Sequence, residues 1–193
     1  GNSVAWNWKA GTEVTNNDGT LTAQVSANQE AGFSVVTFTD DGVAGKTIGH
    51  GLGQKPSIVI QKPLGAGSWY TLYDFVDGSY DYLLLNGTGA RFNSTIAPAT
   101  DTVFSNLQIT GNSLAYCFAD VEGYSKIDKY VGNSNANGTF VYTGFKPAFV
   151  LVKNQTQATD WMMFDNTRNP YNATDAYLQP NLTSAEASGI GEG

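Results

Sequence analysis

The sequence predicts an all-β chain: two tandem antiparallel, sandwich-like modules preceded by an N-terminal strand-plus-linker arm. Helical periodicity is scarce, short apolar runs bounded by Gly, Asn, Asp or Pro recur, and the chain repeats itself. From the N-terminus, Ser3-Val-Ala-Trp-Asn-Trp8 alternates aromatic residues on one face and predicts a strand. The polar stretch Thr12 to Ala31 predicts a linker or surface excursion. Seven further strands are expected at Ser34–Thr39, Ser57–Gln61, Trp69–Tyr73, Tyr82–Leu85, Ser113–Phe118, Phe149–Val152 and Trp161–Phe164. Asp18-Gly19, Asp41-Gly42, Asp77-Gly78, Asn86-Gly87 and Asn137-Gly138 separate several of them with the residues that tight hairpin turns require.

The repeat sets the domain organisation. An offset of 91 residues aligns Gly32-Phe-Ser34 with Gly123-Tyr-Ser125, and Gly53-x-Lys55-Pro56 with Gly144-x-Lys146-Pro147. It also aligns Val59 with Val150, Lys62 with Lys153, Tyr73 with Phe164 and Asp74 with Asp165. A second offset, of 110, aligns Ser3–Trp8 with Ser113–Phe118, the strand that closes the first module. The expected units are an arm over residues 1–31, a first module over 32–120, and a second module over 121–193 that lacks its closing strand. A missing strand leaves an apolar edge and unpaired backbone groups. Val4, Trp6 and Trp8 are therefore the candidates for strand exchange, supplying that strand within one chain or from a neighbour. The alternative is that the chain is a fragment of a longer repeat protein.

Composition narrows the function. Ten Lys and Arg against 17 Asp and Glu give a net charge of −7, and there is no basic cluster, which disfavours nucleic acid and anionic membrane surfaces as partners. No apolar run approaches the ~20 residues of a spanning helix, so no membrane insertion is expected. One cysteine, Cys117, excludes an internal disulfide framework and a Cys-based metal site, and one histidine, His50, nearly excludes His-based zinc chemistry. No cofactor and no metal are expected.

Several motifs resemble a β-rich domain family of marine bacteriophage virion proteins, the cyanophage type among them. They are Ala5-Trp-Asn-Trp-Lys-Ala-Gly11, Ala31-Gly-Phe-Ser-Val-Val-Thr37, Gly49-His-Gly-Leu-Gly-Gln-Lys-Pro56, Ala115-Tyr-Cys-Phe-Ala-Asp-Val-Glu-Gly-Tyr-Ser125, Phe140-Val-Tyr-Thr-Gly-Phe-Lys-Pro147 and Asp165-Asn-Thr-Arg-Asn-Pro-Tyr171. The resemblance spans essentially the whole chain. It implies a virion structural protein of tail-fibre type, made in the host cytoplasm and located in the phage particle, with other virion subunits as partners and a homo-oligomeric state. Members of that family usually continue past this chain's last residue with another apolar segment. The family offers no catalytic or binding residues to transfer.

Candidate sites follow from residue chemistry. His50, in Gly49-His-Gly-Leu-Gly53, has no nominated nucleophile or orienting acid and reads as a turn residue. Cys117 sits mid-strand and reads as a small apolar filler. Asp40-Asp41 lack the alternating spacing of a calcium loop; Asp74, Asp77, Asp81 and Asp165 read mainly as turn-capping acids. The densest constellation is Trp161, Asp165, Asn166, Arg168, Asn169 and Tyr171. An aromatic face that covers a sugar ring, beside Asp, Asn and Arg that bind hydroxyls, makes these six the candidate glycan- or partner-binding residues. The competing reading puts Trp161 in the core and pairs Arg168 with Asp165. Nothing places two carboxylates at glycosidase separation, so no enzyme is expected. The expected function is a non-enzymatic virion module, of tail-fibre type, presenting loops to a host-surface polysaccharide. The alternatives are a capsid or tail decoration protein locked to its neighbours by the N-terminal strand, and a polysaccharide depolymerase.

Overall fold

The computed structural model describes residues 5–135, 137–171 and 174–189, and every regular element among them is a β-strand. The strands are β1 (Glu13–Asn16), β2 (Ala23–Asn28), β3 (Phe33–Asp40), β4 (Thr47–Gly49), β5 (Ile58–Pro63), β6 (Tyr70–Tyr73), β7 (Asp81–Leu84), β8 (Val103–Ser105), β9 (Gly111–Phe118), β10 (Phe149–Val152) and β11 (Met162–Asp165). A seven-stranded antiparallel sheet runs in the order β1-β2-β3-β9-β5-β6-β7, and two two-stranded sheets, β4-β8 and β10-β11, complete the fold. The sequence-expected runs correspond to β3, β5, β6, β7, β9, β10 and β11.

Period-two alternation sorts the large sheet into two faces. The registers Ser34↔Cys117, Val36↔Ala115 and Phe38↔Ser113 on one flank of β9, and Val59↔Cys117 and Gln61↔Ala115 on the other, put these buried residues on a common face. Ile48 of β4 and Phe104 of β8 cover that face together with Leu52, Tyr80 and Ala99, which makes the first repeat sandwich-like. Full burial of each large apolar side chain here contributes about 1.5–3 kcal/mol. The opposite face carries Phe33, Tyr116, Phe118 and Trp69 in a run of ring contacts 4.9 to 6.4 Å apart.

Two segments fold differently from expectation. The 12–31 stretch is no linker: residues 13–16 and 23–28 form β1 and β2, β1 laddered onto β2 and β2 onto β3. Ala23 and Val25 are buried while Gln24 is exposed, so the strand alternates, but with side chains so small that the apolar pattern is weak. Conversely, residues 5–12, expected to begin with a strand, form none, and Val4 lies outside the described residues. The three-residue strands β4 and β8 also went unmarked, being too short to show a period.

The two repeats share a hairpin with a one-residue difference. In the first, Val59 faces Leu72; in the second, Val150 faces Phe164. The ladder therefore equates Phe164 with Leu72 and Asp165 with Tyr73, not Phe164 with Tyr73 and Asp165 with Asp74. The loop of the second hairpin is one residue longer, which the surface accommodates at little entropic cost.

Candidate functional site

The six residues singled out around Trp161 divide sharply. Trp161 is buried with Tyr73 and Leu83, and its indole Nε1–H donates to the Leu84 carbonyl at 2.9 Å. The second hairpin is thereby pinned to β6 and β7 of the large sheet. Asp165 is buried; its Oδ1 accepts the backbone N–H groups of Thr167 and Arg168, both at 3.0 Å. The Arg168 guanidinium donates to Asp165 Oδ2 at 2.7 Å, to Glu186 at 3.1 Å and to the Met163 carbonyl at 3.2 Å. Burial alone raises the Asp165 carboxyl, but the two N–H donors and the guanidinium outweigh it and hold it below its ordinary value. Asn169 Oδ1 accepts the Ala176 N–H at 2.7 Å. Trp161 is thus committed to the seat of the hairpin, and Asp165, Arg168 and Asn169 to holding the loop after β11. Asn166 and Tyr171 face solvent, Tyr171 at 84% exposure, and are the members free to touch a ligand.

The other candidate groups are spent inside the fold. His50 is fully buried, with Nε2 bonded to the Thr100 carbonyl at 3.1 Å and Nδ1 accepting the Leu52 N–H at 3.2 Å. Its burial lowers its basicity. Cys117 lies in the core, where burial pushes the thiol up to about 12, far from a reactive thiolate. Asp40 accepts from the Gly42 N–H at 2.8 Å and from Asn106 at 2.9 Å. The acids 74, 77 and 81 do find cations, but they are side chains. Arg91 donates to Asp77 at 2.8 Å and to buried Asp81 at 2.5 Å, and Lys55 pairs with Asp74. Among the described residues no group of three His, Cys, Asp or Glu converges as metal ligands would. No helix there is long and apolar enough to cross a membrane.

The N-terminal tryptophans lie against the second repeat. Trp6 and Trp8 stand 5.6 and 5.9 Å from the Phe149 ring at the start of β10. Trp8 also touches Phe118 at 5.5 Å and Phe33 at 6.3 Å, so it bridges the large sheet and the second hairpin while staying 41% exposed.

The least expected feature is residues 128–142, which are exposed wherever described. The segment carries Tyr130, Val131, Phe140, Val141 and Tyr142, with Phe140 at 85% and Tyr142 at 79% exposure. Thr139 Oγ1 donates to the Val131 carbonyl at 2.7 Å, and Asn133 donates to the Asn137 carbonyl at 3.0 Å, drawing two limbs together around an Asn-rich bend. At its base, Lys129 donates to the Val76 carbonyl at 2.9 Å. An arm is built this way: tied at the root, folded back on itself, and apolar at its flanks. Phe140–Gly144 aligns with Gly49–Gly53, the segment that holds His50, at the offset of 91. Its one sequence signal is alternating aromatics, Phe140 and Tyr142, in a segment rich in Asn and Gly.

Residues 1–192 match the family described as Domain of unknown function (DUF7483). The chain belongs to that family. One DUF7483 domain thus takes in both repeats, the arm and the N-terminal tryptophans. No curated protein and no solved structure matches the chain.

Proposed function

We propose that this DUF7483 chain is a non-enzymatic structural module of a bacteriophage virion that holds neighbouring subunits through the 128–142 arm. The observation that carries the reading is the arm: five large apolar side chains in solvent, on a segment fastened at its root. Large apolar side chains gathered in solvent on one short segment are the mark of a partner contact. The virion assignment rests on the sequence motifs that resemble phage structural proteins. The commitment of His50, Cys117, Asp40 and Asp165 to internal bonds supports a role in contact over one in chemistry. A decoration or assembly role fits the arm better than glycan attachment, since of the six glycan candidates Trp161 is buried against β6 and β7 and Asp165, Arg168 and Asn169 are occupied in the loop after β11.

The test is a tagged chain supplied during phage infection, with incorporation into purified particles measured by immunoblot. Replacing Phe140 and Tyr142 by Ser is expected to change the unfolding free energy by no more than about 0.5 kcal/mol at each site, as for surface changes generally. Incorporation is expected to fall to background. Undiminished incorporation of the double variant rules out the arm as the contact, and absence of the parent chain from particles rules out the virion role.

A further inference from the structure

The repeat and the ring contacts, taken together, identify a seat. In the first repeat, Phe118 at the end of β9 pairs with Ile58 at the start of β5. The offset of 91 carries Ile58 to Phe149, and the offset of 110 carries Phe118 to Trp8. Those two residues touch, ring to ring, at 5.9 Å. Trp6, the counterpart of Tyr116, touches the same Phe149 at 5.6 Å. The segment that resembles β9 by sequence therefore meets the strand that resembles β5, joining the same pair of repeat positions.

The likeness continues across the hairpin. β5 is followed in the sheet by β6 and β7; β10 is followed by β11 and by a segment bridged to it through Met163↔Leu178. What differs is the bond between the first two members. β9 and β5 share a six-residue ladder, whereas residues 5–8 reach Phe149 through side chains, with no backbone ladder to β10. Trp8 is 41% exposed, and residues 9–12, which lead away from it, belong to no strand. Aromatic contacts, with side-chain hydrogen bonds from Asn28 to the Lys9 carbonyl and from Ser26 to the Gly11 carbonyl, are easier to release than aromatic contacts plus a ladder.

We propose that the Phe149 seat on β10 is an exchange site for the Trp6–Trp8 segment, and that its partner is the same segment of a second copy of this chain. The occupant is fixed by the repeat: the chain carries the matching aromatic strand once at its N-terminal end and holds it by side chains. A segment that fills its own seat in one chain fills the identical seat of another at equal contact and at the cost of association alone, which is how swapped assemblies arise. The inference stands on the repeat geometry and does not need the virion reading or the arm.

The decisive experiment uses two full-length variants with complementary defects. Trp6→Ala with Trp8→Ala keeps the seat and spoils the segment; Phe149→Ala keeps the segment and spoils the seat. Each alone is expected to sediment as a monomer, and an equimolar mixture is expected to yield a one-to-one heterodimer. A mixture that stays monomeric overturns the proposal. To guard against a variant that does not fold, a fluorescent peptide of residues 3–10 is titrated into Trp6→Leu with Trp8→Leu, a milder change that leaves the seat without its own rings, and into the same chain carrying Phe149→Leu. Saturable binding to the first, weakened about tenfold in the second by the loss of one aromatic partner, is expected. No binding to the first, or equal binding to both, overturns it. Failure of the arm variant to alter virion incorporation leaves both results untouched, so the two readings fail separately.

Discussion

His50 has both ring nitrogens engaged inside the protein, and being the chain's single histidine it can be followed without ambiguity. Burial disfavours its cation, opposed by the Thr100 carbonyl and by the charges of Asp18 and Asp101, and the balance lowers its basicity. The sign follows from linkage. A base whose folded value lies below its unfolded value of about 6.5 binds protons more readily when unfolded. Its contribution is complete above that value and is lost as the pH falls through it toward the folded value. Melting temperature is therefore expected to decline between pH 7.5 and 5.5. In His50→Asn the decline is expected to flatten, with lower stability at pH 7.5 because the ring's packing and one of its two bonds are lost. A parent whose melting temperature is constant over that range would show that the ring accepts a proton equally well in both states. The sequence reading of His50 as a turn residue came from its glycine neighbours; its burial was not legible, because the cover comes from Thr100, fifty residues on.

At the scale of elements, the opening glycines of the two repeats make a natural comparison. Gly32 and Gly123 align, and both adopt left-handed backbone, φ +61° and +74°. A Cβ at Gly32 would stand 2.8 Å from the Ala119 carbonyl oxygen and 2.7 Å from a Val121 methyl, whereas at Gly123 nothing lies within 4 Å. Ala at Gly123 is expected to cost about 1 kcal/mol for the left-handed backbone. Ala at Gly32 carries that cost plus a steric one, about 2–4 kcal/mol in all. Denaturant titration of the two variants checks the ranking, and equal losses would contradict it. The aligned glycines were legible as a repeat. That only one of them is crowded was not, because β3 enters a full sheet at Gly32, while the equivalent chain after Gly123 runs into the exposed arm. The same distinction explains the elements that were misjudged. β3, β5 and β9 have both neighbours in place and large apolar side chains, so periodicity marked them. β2 is held by β3, and β1 by β2, with Ala, Val and Thr side chains, and their strand character depends on neighbours that composition does not reveal. Around Trp161 the residue types were legible as a cluster, but the same types that bind a sugar also cap a loop. The hydrogen bonds of Arg168 to Asp165, Glu186 and Met163 decide between the two.

Across the whole molecule, the second hairpin has little interior of its own. Its buried anchor, Trp161, is completed by Tyr73 and Leu83 of the first repeat, and the Arg91 N–H donates to the Gln155 carbonyl at 2.8 Å. A unit that borrows its core melts with the lender. Calorimetry is expected to show one transition with equal van't Hoff and calorimetric enthalpies; two resolved transitions would mean that the repeats are held up independently. The one-residue difference between the hairpin loops has a further consequence, on the timescale of descent. Duplicated modules begin identical, and the constant offset of 91 from Val59/Val150 to Asp74/Asp165 leaves no inserted residue between them; the returning strand of the second copy has instead slipped by one ladder position, which turns each of its residues to the other face. Where the first copy has the buried Tyr73, the second has Asp165, whose carboxylate organises a loop tied to Arg168. A twin freed from closing its own core can drift in this way, which leaves one copy to keep the fold and the other to vary what it touches.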